Sequence, residues 1–129
     1  MKRNTREWVR KAEKDYRAAK KLSRGNEPLH DQVCFLFQQS AEKYLKSLLE
    51  ERGTAIPRTH VLKDLLALLV PPAPSLTVLR SGLVFLTRFA VGTRYPGDDA
   101  TRRQAISADK WAGRVRAACR RLLGLRERP

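Results

Sequence analysis

The chain has 129 residues and a formal net charge of +14, from 27 Lys+Arg against 13 Asp+Glu, with 42% hydrophobic residues. That length suits a single domain whose core folds without a disulfide or metal, and the composition is too apolar for a disordered chain. The longest apolar stretch, Val61 to Val70, contains Lys63 and Asp64, which excludes a transmembrane helix.

No apolar run follows Met1-Lys2-Arg3-Asn4, so no secretory signal is expected and a cytoplasmic location is the default. Cys34 and Cys119 lie inside helical apolar patterns and are expected as buried free thiols.

Apolar spacings of three and four dominate the chain, and sustained alternation is absent. Five helices are predicted. The first covers about 5–22, with Trp8, Ala12, Tyr16, Ala19 and Leu22 as its apolar stripe and a capping-box-like start at Asn4 and Glu7. Gly25, Asn26 and Pro28 end it. The second runs from 29 or 30 to 51 and stops at Gly53. Val33, Phe37, Ala41, Tyr44 and Leu48 face inward, widened by Leu36, Leu45 and Leu49. Gln39, Lys43, Lys46 and Glu50 form a polar stripe, and Glu42 stands four residues before Lys46 in the favourable order.

The third helix is short, about 59–70, with Thr59 as the expected N-cap. Pro71-Pro72-Ala73-Pro74 makes a sharp connection to a fourth, about 75–92, striped by Leu76, Leu79, Leu83, Leu86 and Ala90. A fifth covers about 100–123, with Ile106, Trp111, Val115, Ala118, Cys119 and Leu122 inward and Asp98 and Asp99 as N-capping acids. Residues 124–129 are expected to fray. Amphipathic helices joined by short loops predict an all-α, single-domain antiparallel up-and-down bundle with its core at about 5–123.

Three strings are distinctive: Phe37-Gln38-Gln39-Ser40-Ala41-Glu42-Lys43-Tyr44-Leu45-Lys46, then Arg58-Thr59-His60-Val61-Leu62, then Arg94-Tyr95-Pro96. With Trp8, Ala12, Asp15 and Tyr16 ahead of them, they make the chain resemble a prokaryotic HEPN-domain protein over nearly its whole length. The resemblance implies a helical bundle that binds nucleotides or RNA, is usually a homodimer, and works beside a minimal nucleotidyltransferase, often as a toxin–antitoxin pair. Toxic members of the family are metal-independent ribonucleases that carry an Arg followed four to six residues later by His.

His30 and His60 are the only histidines. Arg24 precedes His30 with five residues between, in the first loop, but arginine is so frequent here that this spacing carries little weight. Arg24, His30 and His60 are the weak catalytic candidates, and the ribonuclease toxin remains an alternative to simple binding. A non-catalytic protein adaptor is the second alternative.

For binding, His60 beside Arg58 opens the third helix, where backbone donors attract phosphate. Lys43 and Lys46 add charge from the second helix, and Gln39 can read a base edge. Arg94 and Tyr95 offer a guanidinium and a ring for phosphate pairing and stacking. The arginines at 114, 116, 120 and 121 of the last helix are expected as a basic surface for polyanions or an acidic partner. No cluster has metal-ligand spacing, so neither a metal nor a cofactor is expected.

Overall fold

A computed structural model describes residues 1–126. Among them there are five α-helices and no strand: α1 (Arg3–Ser23), α2 (His30–Glu51), α3 (Leu62–Leu69), α4 (Arg80–Thr87) and α5 (Arg102–Leu122). The bundle is all-helical, as the apolar spacing predicts.

Cross-helix bonds fix the directions. Thr5 meets Glu51, Glu13 meets Tyr44 and Asp15 meets Lys43, so α1 and α2 are antiparallel. Glu13 meets Arg116 and Lys20 meets Asp109, so α1 and α5 are antiparallel too. It follows that α2 and α5 run parallel, and the short α3 and α4 carry the chain back between them. α2 is the hub and packs against all four other helices. Its core side chains Val33, Phe37, Ala41, Tyr44, Leu45, Leu48 and Leu49 are buried as expected, and Leu36 is half-buried.

Several local expectations are corrected. Asn4 and Glu7 do not form a capping box, because α1 already begins at Arg3 and Glu7 pairs with Arg10. The carboxylate serving the start of α1 is Glu51, which accepts from the Lys2 N–H and the Thr5 hydroxyl, both at 2.9 Å. Thr59 does not cap α3. Its hydroxyl accepts from the Val61 N–H in the preceding loop, while Thr87 of α4 accepts from the Leu62 N–H at 3.1 Å. Asp98 and Asp99 do not cap α5 either. That role belongs to Thr101, in a reciprocal capping box with Gln104.

The fourth helix is not continuous: 3-10 turns at Pro74–Leu79 and Arg88–Ala90 flank α4. The inward face of α5 is also rotated from expectation. Ala105, Ala108, Ala112, Val115 and Cys119 are buried, whereas Ile106 and Leu122 are exposed. Past α5 the chain does not fray at once. Gly124 takes φ +71°, and the Leu125 and Gly124 N–H groups return to the Arg120 and Arg121 carbonyls at 2.8 and 3.1 Å. The rest of the expected tail, 127–129, lies outside the described residues.

Gly82 of α4 is buried beneath Trp111 of α5, and a Cβ there would come within 2.0 Å of the indole ring. The Gly82→Ala variant is therefore expected to be destabilised by about 1–3 kcal/mol, the cost of overpacking. A urea midpoint measures this; an unchanged midpoint would contradict the close packing of α4 on α5.

Both cysteines are free and buried. Burial pushes the Cys34 thiol up to about 12 and the Cys119 thiol higher still, so neither is a nucleophile near neutral pH.

Candidate functional site

The second helix and the loop before the third meet at a buried carboxylate. Glu42 faces away from the apolar stripe of α2, and its side chain is only 6% exposed. Its Oε2 accepts from Lys46 Nζ at 3.0 Å, one turn further along α2. Its Oε1 accepts from Gln38 Nε2 at 3.1 Å and lies 2.8 Å from His60 Nδ1. Gln39 Nε2 donates to Gln38 Oε1 at 2.7 Å, which extends the chain of hydrogen bonds by one residue.

Three of the sequence-predicted residues, Gln39, Lys46 and His60, are thus joined through Gln38 and Glu42. Burial pushes the Glu42 carboxyl up, but hydrogen bonds from His60, Lys46 and Gln38 outweigh it and hold the group below its ordinary 4.5. An ionised Glu42 accepts the Nδ1 proton of His60. That fixes the tautomer and leaves Nε2 to the exterior on a side chain that is 63% exposed.

Lys46 has little charge left for a ligand: it is bound to Glu42, and its ammonium lies 5.8 Å from the centre of the Trp8 ring. Trp8 is half-buried and walls a cleft of about 310 Å³ with Lys11, Glu50 and Ile56. Its place in the apolar stripe of α1 gave no hint of this. An aromatic at that position is indistinguishable in sequence from core, and Ile56 of the 52–61 loop lines the cleft beside the ring.

A family model for the HEPN domain matches residues 5–122. The chain belongs to the HEPN family. As a HEPN domain it is a nucleotide- or RNA-related helical module. Among solved structures, TT1696 from Thermus thermophilus is similar to it, with a TM-score of 0.80 and 28% identity over 93% of this chain and 98% of that one. A comparison with curated proteins gives no match.

Of the other predicted residues of this HEPN domain, Arg58 alone stays near His60 in the chain. Arg58 is exposed on the loop two residues before His60. Lys43 turns toward α1, with its Nζ 2.5 Å from Asp15 Oδ2. Arg94 lines a separate hollow with Asp31, Phe35 and Phe89, and the neighbouring Tyr95 is 66% exposed. Phe35 and Lys46 are eleven residues apart on α2, about 16 Å along the helix, so Tyr95 does not belong to the His60 cluster.

Arg24 and His30 line different clefts. Arg24 sits with Arg17 and Lys20, and His30 with Asn26, Arg102 and Asp109.

The last-helix arginines also separate. Arg116 and Arg120 are buried, not surface charges. Arg116 grips Glu13 with two donors, at 2.6 and 2.9 Å, and Tyr44 donates to the same carboxylate. Arg120 Nη1 lies 3.9 Å from Glu13 and 3.4 Å from the Tyr44 hydroxyl. Burial raises the Glu13 carboxyl, yet the bonds from Arg116 and Tyr44 bring it below 4.5. Among the described residues, no group of three or more His, Cys, Asp or Glu side chains could hold a metal, and no helix is long and apolar enough to cross a membrane.

Proposed function

We propose that this HEPN domain binds a nucleotide or an RNA segment at the Glu42–His60 cluster, with the base against Trp8. The observation that supports this reading most is the hydrogen bond from His60 to a buried, ionised Glu42. It presents one imidazole nitrogen outward in a fixed orientation, and the exposed Arg58 stands two residues before His60 on the same loop. An imidazole Nε2 and a neighbouring guanidinium suit a ribose or base edge and a phosphate. Trp8 offers the ring that Tyr95, at the far end of α2, does not bring to this cluster.

Family membership supports the rest of the reading. The domain works in the cytoplasm as a homodimer with a minimal nucleotidyltransferase, in a two-component, toxin–antitoxin-like system. Arg94 and Tyr95 form a second contact region, reached by a longer ligand or by the partner.

Equilibrium titration with ribonucleoside monophosphates and a short oligoribonucleotide tests the site. His60→Ala and Trp8→Ala are each expected to weaken binding at least about tenfold, the loss of roughly 1.4 kcal/mol of contact, with His60→Ala still unfolding in one cooperative urea transition. Wild-type affinity in both variants would sink the assignment.

The same hydrogen bond favours a second reading. A carboxylate-oriented imidazole is also the arrangement of a general acid or base, so His60 would move the proton of a ribose 2′-hydroxyl in metal-independent cleavage. RNA cleavage that persists in EDTA and disappears in His60→Ala would establish it. Intact RNA after prolonged incubation leaves the binding reading alone.

A further inference from the structure

A different surface of the molecule gathers a row of positive charge. On α1 and its C-cap Arg24, the residues Arg6, Arg10, Glu13, Arg17, Lys20 and Arg24 recur every three or four positions, which places them on one face. That face borders α5, since Glu13 and Lys20 bond to Arg116 and Asp109 across the crossing.

Two hollows lie along this border. One, of about 530 Å³, is lined by Arg17, Lys20, Lys21, Arg24 and Arg116. The other, of about 390 Å³, is lined by Arg6, Arg10, Arg17 and Arg120. They meet at Glu13 and Arg17, so the groove extends from Arg6 to Arg24, about 27 Å of helix. Its single lining carboxylate, Glu13, is already neutralised from below by Arg116 and Tyr44.

This arrangement costs the isolated protein stability. Arg6 and Arg10, Arg17 and Lys21, and Lys20 and Arg24 are like-charged pairs four residues apart, and such pairs destabilise a helix. Arg10 pairs with Glu7 and Lys20 with Asp109, but Arg6, Arg17 and Arg24 have no acidic partner among the described residues. Folding alone gives no return for aligning them.

The groove's apolar lining is small: Tyr16 and Leu125 are half-buried, Val9 is buried, and Met1 at one end is the one exposed large hydrophobic side chain among its described lining residues. Protein interfaces are organised around buried aromatic or aliphatic anchors, whereas nucleic-acid interfaces are polar and strongly positive. Arginine forks match phosphate oxygens.

We infer that the α1–α5 groove binds the phosphodiester backbone of RNA, as a surface separate from the His60 cluster. It extends the function proposed above by adding a sequence-independent track for the chain whose base or nucleotide is held at His60. The test is fluorescence anisotropy with a labelled 12-nucleotide oligouridylate across a salt series, on the wild type and on an Arg6→Gln/Arg17→Gln/Arg24→Gln variant.

Each phosphate neutralised on a single strand contributes about 0.7 to the salt slope. The triple variant is therefore expected to lose about 2 from the slope of log K against log salt. Its urea midpoint should be equal to or above that of the wild type. An unchanged slope overturns the inference, whatever His60→Ala does.

His60→Ala with weakened affinity but a wild-type slope supports two separate surfaces. Loss of binding in His60→Ala with no effect of the triple change leaves the His60 reading standing and removes this one. Competition assigns the ligand. Displacement by unlabelled RNA, but not by polyglutamate or inorganic polyphosphate of equal charge, supports a phosphodiester track. Equal displacement by polyglutamate, or tighter binding of polyphosphate, overturns it.

Discussion

Glu13→Ala is expected to destabilise the protein by about 3–5 kcal/mol, the usual cost of removing one partner from a buried ion pair. The carboxylate is 15% exposed and the Arg116 side chain only 10%, so solvent cannot take over its role. Losing it removes both hydrogen bonds that Arg116 makes to Glu13 and leaves the Tyr44 hydroxyl, which donates to Glu13, without its acceptor. Arg120, 6% exposed and 3.9 Å away, loses its nearby counter-charge as well. Glu13 lies on α1, Tyr44 on α2 and both arginines on α5, so the damage falls on the crossing of the three longest helices.

Acidification should mimic part of this loss. Glu13 and Glu42 both have folded-state pKa values below 4.5, so their contribution is fully present above that value. It disappears as the pH falls through the lower folded values. Urea midpoints measured from pH 7 downward should hold until about pH 4.5 and then decline. In Glu13→Ala the decline should be shallower, and the same slope in both proteins would contradict the ionised pair.

Glu42→Ala is the second large effect, at about 3 kcal/mol. Lys46 would keep only the Trp8 ring as a partner for a charge that is 11% exposed, and Gln38 would lose its acceptor. Replacing both members with apolar residues, as in Glu42→Ala/Lys46→Met, should recover most of the stability, because the cost lies in the orphaned charge. Nucleotide binding should not recover with it, since His60 would still lack the carboxylate that orients it. Recovery of both properties would mean that Glu42 serves packing alone.

The heart of the fold was legible because α2 carries a strong signal. Its apolar residues repeat without interruption from Val33 to Leu49, and Gly53 marks its end. The helix ends were less legible, because capping chemistry is shared by residues that sit close together. Asn4, Thr59, Asp98 and Asp99 all have suitable side chains, but partners distant in sequence, Glu51 and Thr87, serve the starts of α1 and α3. The face of α5 was misjudged for a packing reason. Alanines at 105, 108 and 112 pack inward, which leaves the bulkier Ile106 outside.

The candidate site was half legible. Lys46 and Glu42 are one helical turn apart, so their pairing could be read, but His60 joins them only through the path of the 52–61 loop. Arg94 and Tyr95 share the family resemblance yet lie at the other end of α2, a separation that motif order does not encode. Arg116 and Arg120 look like surface charges until the antiparallel crossing of α1 and α5 brings Glu13 beneath them.

The imidazole signals of His60, followed by NMR during titration with ribonucleoside monophosphates, test the central claim most directly. The account predicts that the Nε2 and ring-proton resonances of His60 move with the indole signals of Trp8, while those of His30 stay in place. In Glu42→Gln, with the fold intact, the His60 response should be much reduced. Saturable binding that leaves His60 and Trp8 unmoved, or moves only His30, would contradict it.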